Sequence, residues 1–250
     1  MRQYLIIGNW KMNGNLAENE QLLNTISSSH VLAEGCEVVV CPPSIYIPHV
    51  RQQLLQSKVK YGAQNVNEHI NGAYTGETSA TMLHDLGCSY VLLGHSERRS
   101  LNHESDEQIA GKFAAAVQAN IKPVLCVGET LAQRQGDETF LVIAEQIKKV
   151  VEQVGIQAFE HAVIAYEPVW AIGTGETATP EQAQEIHNLI RRQLAEFDVN
   201  IASNILIIYG GSVNSNNART LFSQPDIDGG LVGGASLNAD VFINICKAYN

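Results

Sequence analysis

The chain has 250 residues, of which 45% are hydrophobic and 17% charged, and its formal net charge is −10. That composition suits a folded protein with a sizeable core and excludes a disordered chain. The acidic balance repels phosphate backbones and anionic lipid, so neither nucleic acid nor a membrane is an expected partner.

The N-terminal stretch from Met1 to Gly8 is far too short for a secretion signal or a membrane span. Its apolar part, residues 4–7, is the first of eight short apolar runs; the others are 37–41, 59–63, 90–93, 123–127, 162–166, 205–209 and 229–232. Most are rich in Val, Ile and Leu with little polar alternation, which predicts strands buried on both faces of a parallel sheet. Helical patterns lie between them. Ser105-Asp106-Glu107-Gln108 is a capping box ahead of 109–119, and residues 138–151 place Phe140, Ala144, Ile147 and Val151 on one helical face. Thr179-Pro180-Glu181-Gln182 opens a further helix running to about Phe197. Eight strand-then-helix units without a linker predict an α/β fold. The expected form is one closed (β/α)₈ barrel over residues 1–250, eight parallel strands inside and helices outside. A doubly wound open sheet is the alternative. The count of eight disfavours it, as does Gly8-Asn9-Trp10-Lys11 standing where GxGxxG is required.

Each run ends in a polar or glycine-containing segment. In a barrel these ends share the C-terminal rim, where catalytic groups sit. Gly210-Gly211-Ser212 and Gly233-Gly234 close the seventh and eighth runs, the usual phosphate position in such barrels. Either pair alone reads as an ordinary turn; together, at that place, they favour phosphate. Glu167 ends the sixth run beside apolar neighbours, a setting for a general base or for a salt-bridged structural carboxylate. His95 follows the fourth run at the start of a helical turn, whose N–H groups favour a neutral imidazole. A satisfied core histidine is the plainer alternative. Lys11, after the first run, supplies a positive charge or is a surface lysine. Pro168-Val169-Trp170-Ala171-Ile172-Gly173-Thr174-Gly175-Glu176 has the small, glycine-rich tip of a lid or of a loop without a role. Five cysteines without a CxxC pair predict a reducing, cytoplasmic setting with no disulfide framework. No metal-ligand spacing stands out, and no cofactor is expected.

The motifs Gly8-Asn9-Trp10-Lys11, Gly94-His95-Ser96-Glu97-Arg98-Arg99, Ala165-Tyr166-Glu167-Pro168-Val169-Trp170, Tyr209-Gly210-Gly211-Ser212 and Leu231-Val232-Gly233-Gly234 resemble the triosephosphate isomerase family, along essentially the whole chain. The resemblance implies a TIM barrel and a cofactor-free glycolytic and gluconeogenic isomerase of triose phosphates. Glu167 would move a proton between two carbons, and neutral His95 would serve the two oxygens. Asn9 and Lys11 would bind substrate and stabilise the enediolate, which makes Lys11 catalytic as well. Gly173, Ser212, Gly233 and Gly234 would hold its phosphate, with Glu97 and Cys126 in support. Asn71 to Glu77 resembles the family's dimer loop, which implies a homodimer with Thr75 near the partner's Lys11 and His95. Glu176 departs from the family, where lysine is common. The rivals are another phosphate-binding barrel, such as a Schiff-base aldolase, or a silent phosphate-ester binder. Lys58, Lys60 and Lys122 fall at the wrong rim for the first, and the set Asn9, Lys11, His95 and Glu167 argues against the second.

Overall fold

The computed structural model describes residues 2–29, 35–172 and 177–249. Eight parallel strands close into a barrel in chain order: β1 (Tyr4–Asn9), β2 (Cys36–Cys41), β3 (Lys60–Ala63), β4 (Tyr90–Leu93), β5 (Lys122–Val127), β6 (Val163–Tyr166), β7 (Leu206–Tyr209) and β8 (Gly229–Val232). All eight coincide with the apolar runs. The largest difference is at β1, which continues through Gly8 to Asn9 because both residues pair with β2.

The absence of polar alternation has a direct cause. One set of side chains, including Leu5, Ile7, Val39, Leu92, Val124 and Leu231, fills the barrel interior. The alternate set, including Ile6, Val38, Val91, Leu125 and Ile164, packs against the helices outside. Both faces are dry, so both must be apolar. Closure of β8 on β1 depends on one glycine. Gly229 pairs with Leu5 and has φ +139°, and a Cβ there would stand 1.9 Å from the Leu5 carbonyl oxygen.

The capping boxes form where the sequence predicts them. The Ser105 side chain accepts from Gln108 N–H ahead of the helix Asp106–Gln118, and Thr179 does the same for Gln182 ahead of Pro180–Phe197. The intervening helix runs Thr139–Val154. On the opposite rim Arg191 ties the outer layer to the sheet, bridging Asp226 and Asp228 at 2.8 Å each. Among the described residues no helix is long and apolar enough to cross a membrane.

Candidate active site

The ends of β1, β4, β6, β7 and β8 surround a cavity of about 330 Å³, lined among others by Asn9, Lys11, His95, Glu167, Ser212, Gly233 and Gly234. Segments far apart in sequence thus meet at one mouth, as the eightfold pattern predicts.

Glu167 follows β6 directly and is 2% exposed. Its backbone N–H donates to Val127 O at 2.7 Å, continuing the ladder past the last strand residue. Two glycines make room for it. A Cβ on Gly128 would lie 1.8 Å from Glu167 O, and one on Gly210 would lie 2.9 Å from its Cγ. The buried Gln146 amide clamps Gly128 from outside, accepting its N–H at 2.9 Å and donating to its carbonyl at 3.2 Å. One carboxylate oxygen, Oε2, accepts Ser96 N–H at 2.8 Å. The other, Oε1, stands 2.9 Å from His95 Nε2 and has no hydrogen-bond partner among the described residues.

His95 caps the N-terminus of the short helix Ser96–Leu101, and its Nδ1 accepts Glu97 N–H at 3.2 Å. That hydrogen bond needs the lone pair of Nδ1, which an imidazolium lacks, so it selects the neutral tautomer with the proton on Nε2. Burial opposes the charged form as well. The carboxylates of Glu167 and Glu97 act the other way and carry the pKa above the ordinary 6.5. Separating Glu167 from His95 removes the largest of these upward influences.

Lys11 is the one cation among the described side chains lining the cavity. Its Nζ lies 2.5 Å from Glu97 Oε1, and its backbone is left-handed at φ +52°. Asn9 is buried and accepts Lys11 N–H through Oδ1 at 3.0 Å. Across the mouth, a Cβ on Gly234 would meet nothing within 4 Å among the described residues. The packing of the described residues does not require glycine there. Cys126 lies in the barrel interior, where burial and the Glu167 charge push its thiol well above its ordinary range. Its side chain is fully buried packing there.

The first part of the expected lid forms the stem Val169–Ala171 after Pro168. Ser212 Oγ donates to Ala171 O at 3.0 Å, which ties the stem to the β7 end. Ile172 lines the cavity. The expected lid residues Gly173, Thr174, Gly175 and Glu176 lie outside the described residues. Thr75 is exposed. A second cavity of about 530 Å³ adjoins the first, shares Asn9, Lys11 and His95 with it, and is flanked by Met12 and Leu101.

The roles of several contributors have no local signal in the sequence. Fully buried Glu129 accepts from Tyr166 OH at 3.1 Å, Trp170 Nε1 at 3.0 Å and Arg134 Nη1 at 3.2 Å, and so anchors the lid stem. Arg99 laces the rim, donating to Gly94 O at 2.7 Å and Cys126 O at 3.1 Å. Gln64 donates to Lys11 O and Cys41 O at 2.8 Å each. Among the described residues no group of three His, Cys, Asp or Glu side chains is arranged to hold a metal ion.

The chain is similar to known proteins along nearly its whole length. The family model for triosephosphate isomerase matches residues 4–249. The chain is 54% identical to the triosephosphate isomerase of Nitrosomonas europaea over 99% of this chain and 98% of that one. Against the Dechloromonas aromatica enzyme the figure is 53%, over the whole of both. Against that of Thiobacillus denitrificans it is 54%, over 99% of each.

Proposed function

The chain belongs to the triosephosphate isomerase family, and we propose that it interconverts dihydroxyacetone phosphate and glyceraldehyde 3-phosphate at the mouth where His95 and Glu167 meet. The observation that carries the assignment is the 2.9 Å approach of His95 Nε2 to Glu167 Oε1 on the wall of a cavity that also holds Lys11 and the Gly233-Gly234 turn.

The chemistry follows from these groups. The Glu167 carboxylate takes a proton from C1 of the ketose. The C–H electron pair becomes the C1–C2 double bond, and the carbonyl pair moves onto O2. The developing oxyanion is met by the Nε2–H of neutral His95 and by the Lys11 ammonium and Asn9 amide. His95 moves a proton between the two oxygens, and Glu167 returns its proton to C2, which gives the aldehyde. No redox partner or cofactor is needed, because hydrogen leaves one carbon and arrives at the next. This family is the standing example of a glutamate base paired with an uncharged imidazole. A positioned base contributes on the order of 10²–10⁴-fold, and preorganised donors at the oxyanion supply at least as much.

Ser212, Gly233 and Gly234 take the phosphate, with Lys11 as the attracting charge in an otherwise acidic protein. Clamping it protects the enediolate, which otherwise expels phosphate. The acting unit is a cytoplasmic homodimer of single-domain protomers, in which Thr75 of one enters the second cavity of the other. Exposed Met12 and Leu101 support this reading, being apolar surface beside the mouth that a second copy would cover. A coupled assay for glyceraldehyde 3-phosphate isomerisation tests the activity. Turnover that Glu167→Gln abolishes is expected. Borohydride-trapped substrate on Lys11 would favour an aldolase instead.

A further inference from the structure

We infer that Gln64 is a positioning residue for Lys11, an inference that rests on the substrate-binding role proposed for that lysine. Lys11 has φ +52°, a left-handed conformation that a non-glycine residue keeps only where its surroundings hold it. The loop supplies two restraints of its own: Lys11 N–H to Asn9 Oδ1 at 3.0 Å, and Asn13 Nδ2 to Trp10 O at 2.8 Å. The third comes from another strand. Gln64, the residue after β3, donates from Nε2 to Lys11 O at 2.8 Å, and the same nitrogen donates to Cys41 O, at the end of β2, also at 2.8 Å. Cys41 O further accepts Trp10 N–H at 3.1 Å. One amide therefore ties the ends of three neighbouring strands together around the lysine.

The amide group suits this task by its chemistry. It offers two N–H donors on one atom, which two carbonyls from two loops can share. A carboxylate of the same length offers none, and a methionine fills the space without donating. With the donors gone, two carbonyls lose a partner and Lys11 is free to relax towards the right-handed region. Its side chain then leaves the position in which Nζ meets Glu97 and Cε faces Gly233. Gln64 is not among the lining residues of the mouth cavity; it lines the adjoining second cavity and holds Lys11 by its backbone carbonyl.

The test is a double-mutant cycle on the affinity for glycerol 3-phosphate, a triose phosphate without the reactive carbonyl, read together with KM and kcat. Gln64→Met is expected to weaken affinity about tenfold and to raise KM more than it lowers kcat. In the Lys11→Met background it is expected to add no further loss. Gln64→Glu, which keeps the shape and lacks the donors, carries the same expectation and serves if the methionine variant does not fold. Parent-like affinity in either Gln64 variant, or losses that multiply in the double variant, would overturn the inference. Parent-like affinity in Lys11→Met would instead overturn the proposed role of the lysine itself.

Discussion

The two oxygens of Glu167 are held differently: Oε2 accepts the Ser96 N–H at 2.8 Å, whereas Oε1 faces the His95 imidazole at 2.9 Å. The carboxylate is thus fixed by backbone on one side and faces the imidazole on the other. This asymmetry sets the protonation of its neighbour. Burial lowers the His95 pKa, and the Glu167 carboxylate is the largest influence raising it. Because the folded pKa lies above 6.5, this group adds stability below pH 6.5, and that stability is lost as the pH rises through the folded value. Glu167→Gln is expected to move the His95 titration to lower pH in ¹⁵N-resolved NMR. An unchanged titration would show that the carboxylate does not govern it.

His187 behaves in the opposite sense. It is fully buried, with Nδ1 3.1 Å from Asp226 O and its ring edge-on to Tyr166 at 5.9 Å. Burial pushes its pKa down to about 4 from 6.5. The unfolded chain therefore takes up a proton that the folded one refuses. Stability is full above pH 6.5 and declines as the pH falls towards 4, by about 2 kcal/mol at pH 5. Urea unfolding at fixed protein concentration is expected to show this decline in the parent and a smaller one in His187→Gln. Parallel declines would remove His187 as the cause.

The rim glycines separate catalysis from phosphate binding. Gly210→Ala places a Cβ 2.9 Å from Glu167 Cγ, so the base must shift, and kcat is expected to fall on the order of 10²-fold. Gly234→Ala meets no described atom within 4 Å. Its Tm is expected to stay at the parent value while affinity for glycerol 3-phosphate falls. Unchanged affinity would remove Gly234 from the phosphate cradle.

The barrel was legible because every strand is dry on both faces, which writes eight uninterrupted apolar runs into the chain. The start of β5 was blurred by Lys122, a charged residue that opens the strand one position before the apolar run 123–127. His95, Glu167 and the glycine pairs were legible from their places at strand ends. The roles of Gln64, Gln146 and Glu129 were not, since most of their partners lie 18 to 53 residues away in sequence, and no local pattern encodes such a partner.

The surface beside the mouth predicts self-association. Met12 is 94% exposed and Leu101 76%, an apolar face that a second copy would cover. Leu101→Arg is expected to shift sedimentation at micromolar concentration towards monomer and to lower activity with it. A parent protein that sediments as a fully active monomer would contradict the homodimer.

Glu167→Asp examines the division of labour at the mouth most directly. The carboxylate withdraws by about one methylene while Lys11, Ser212, Gly233 and Gly234 stay in place. The account predicts that kcat falls by at least a hundredfold and that glycerol 3-phosphate binds as it does to the parent. Equal losses of turnover and binding would contradict it.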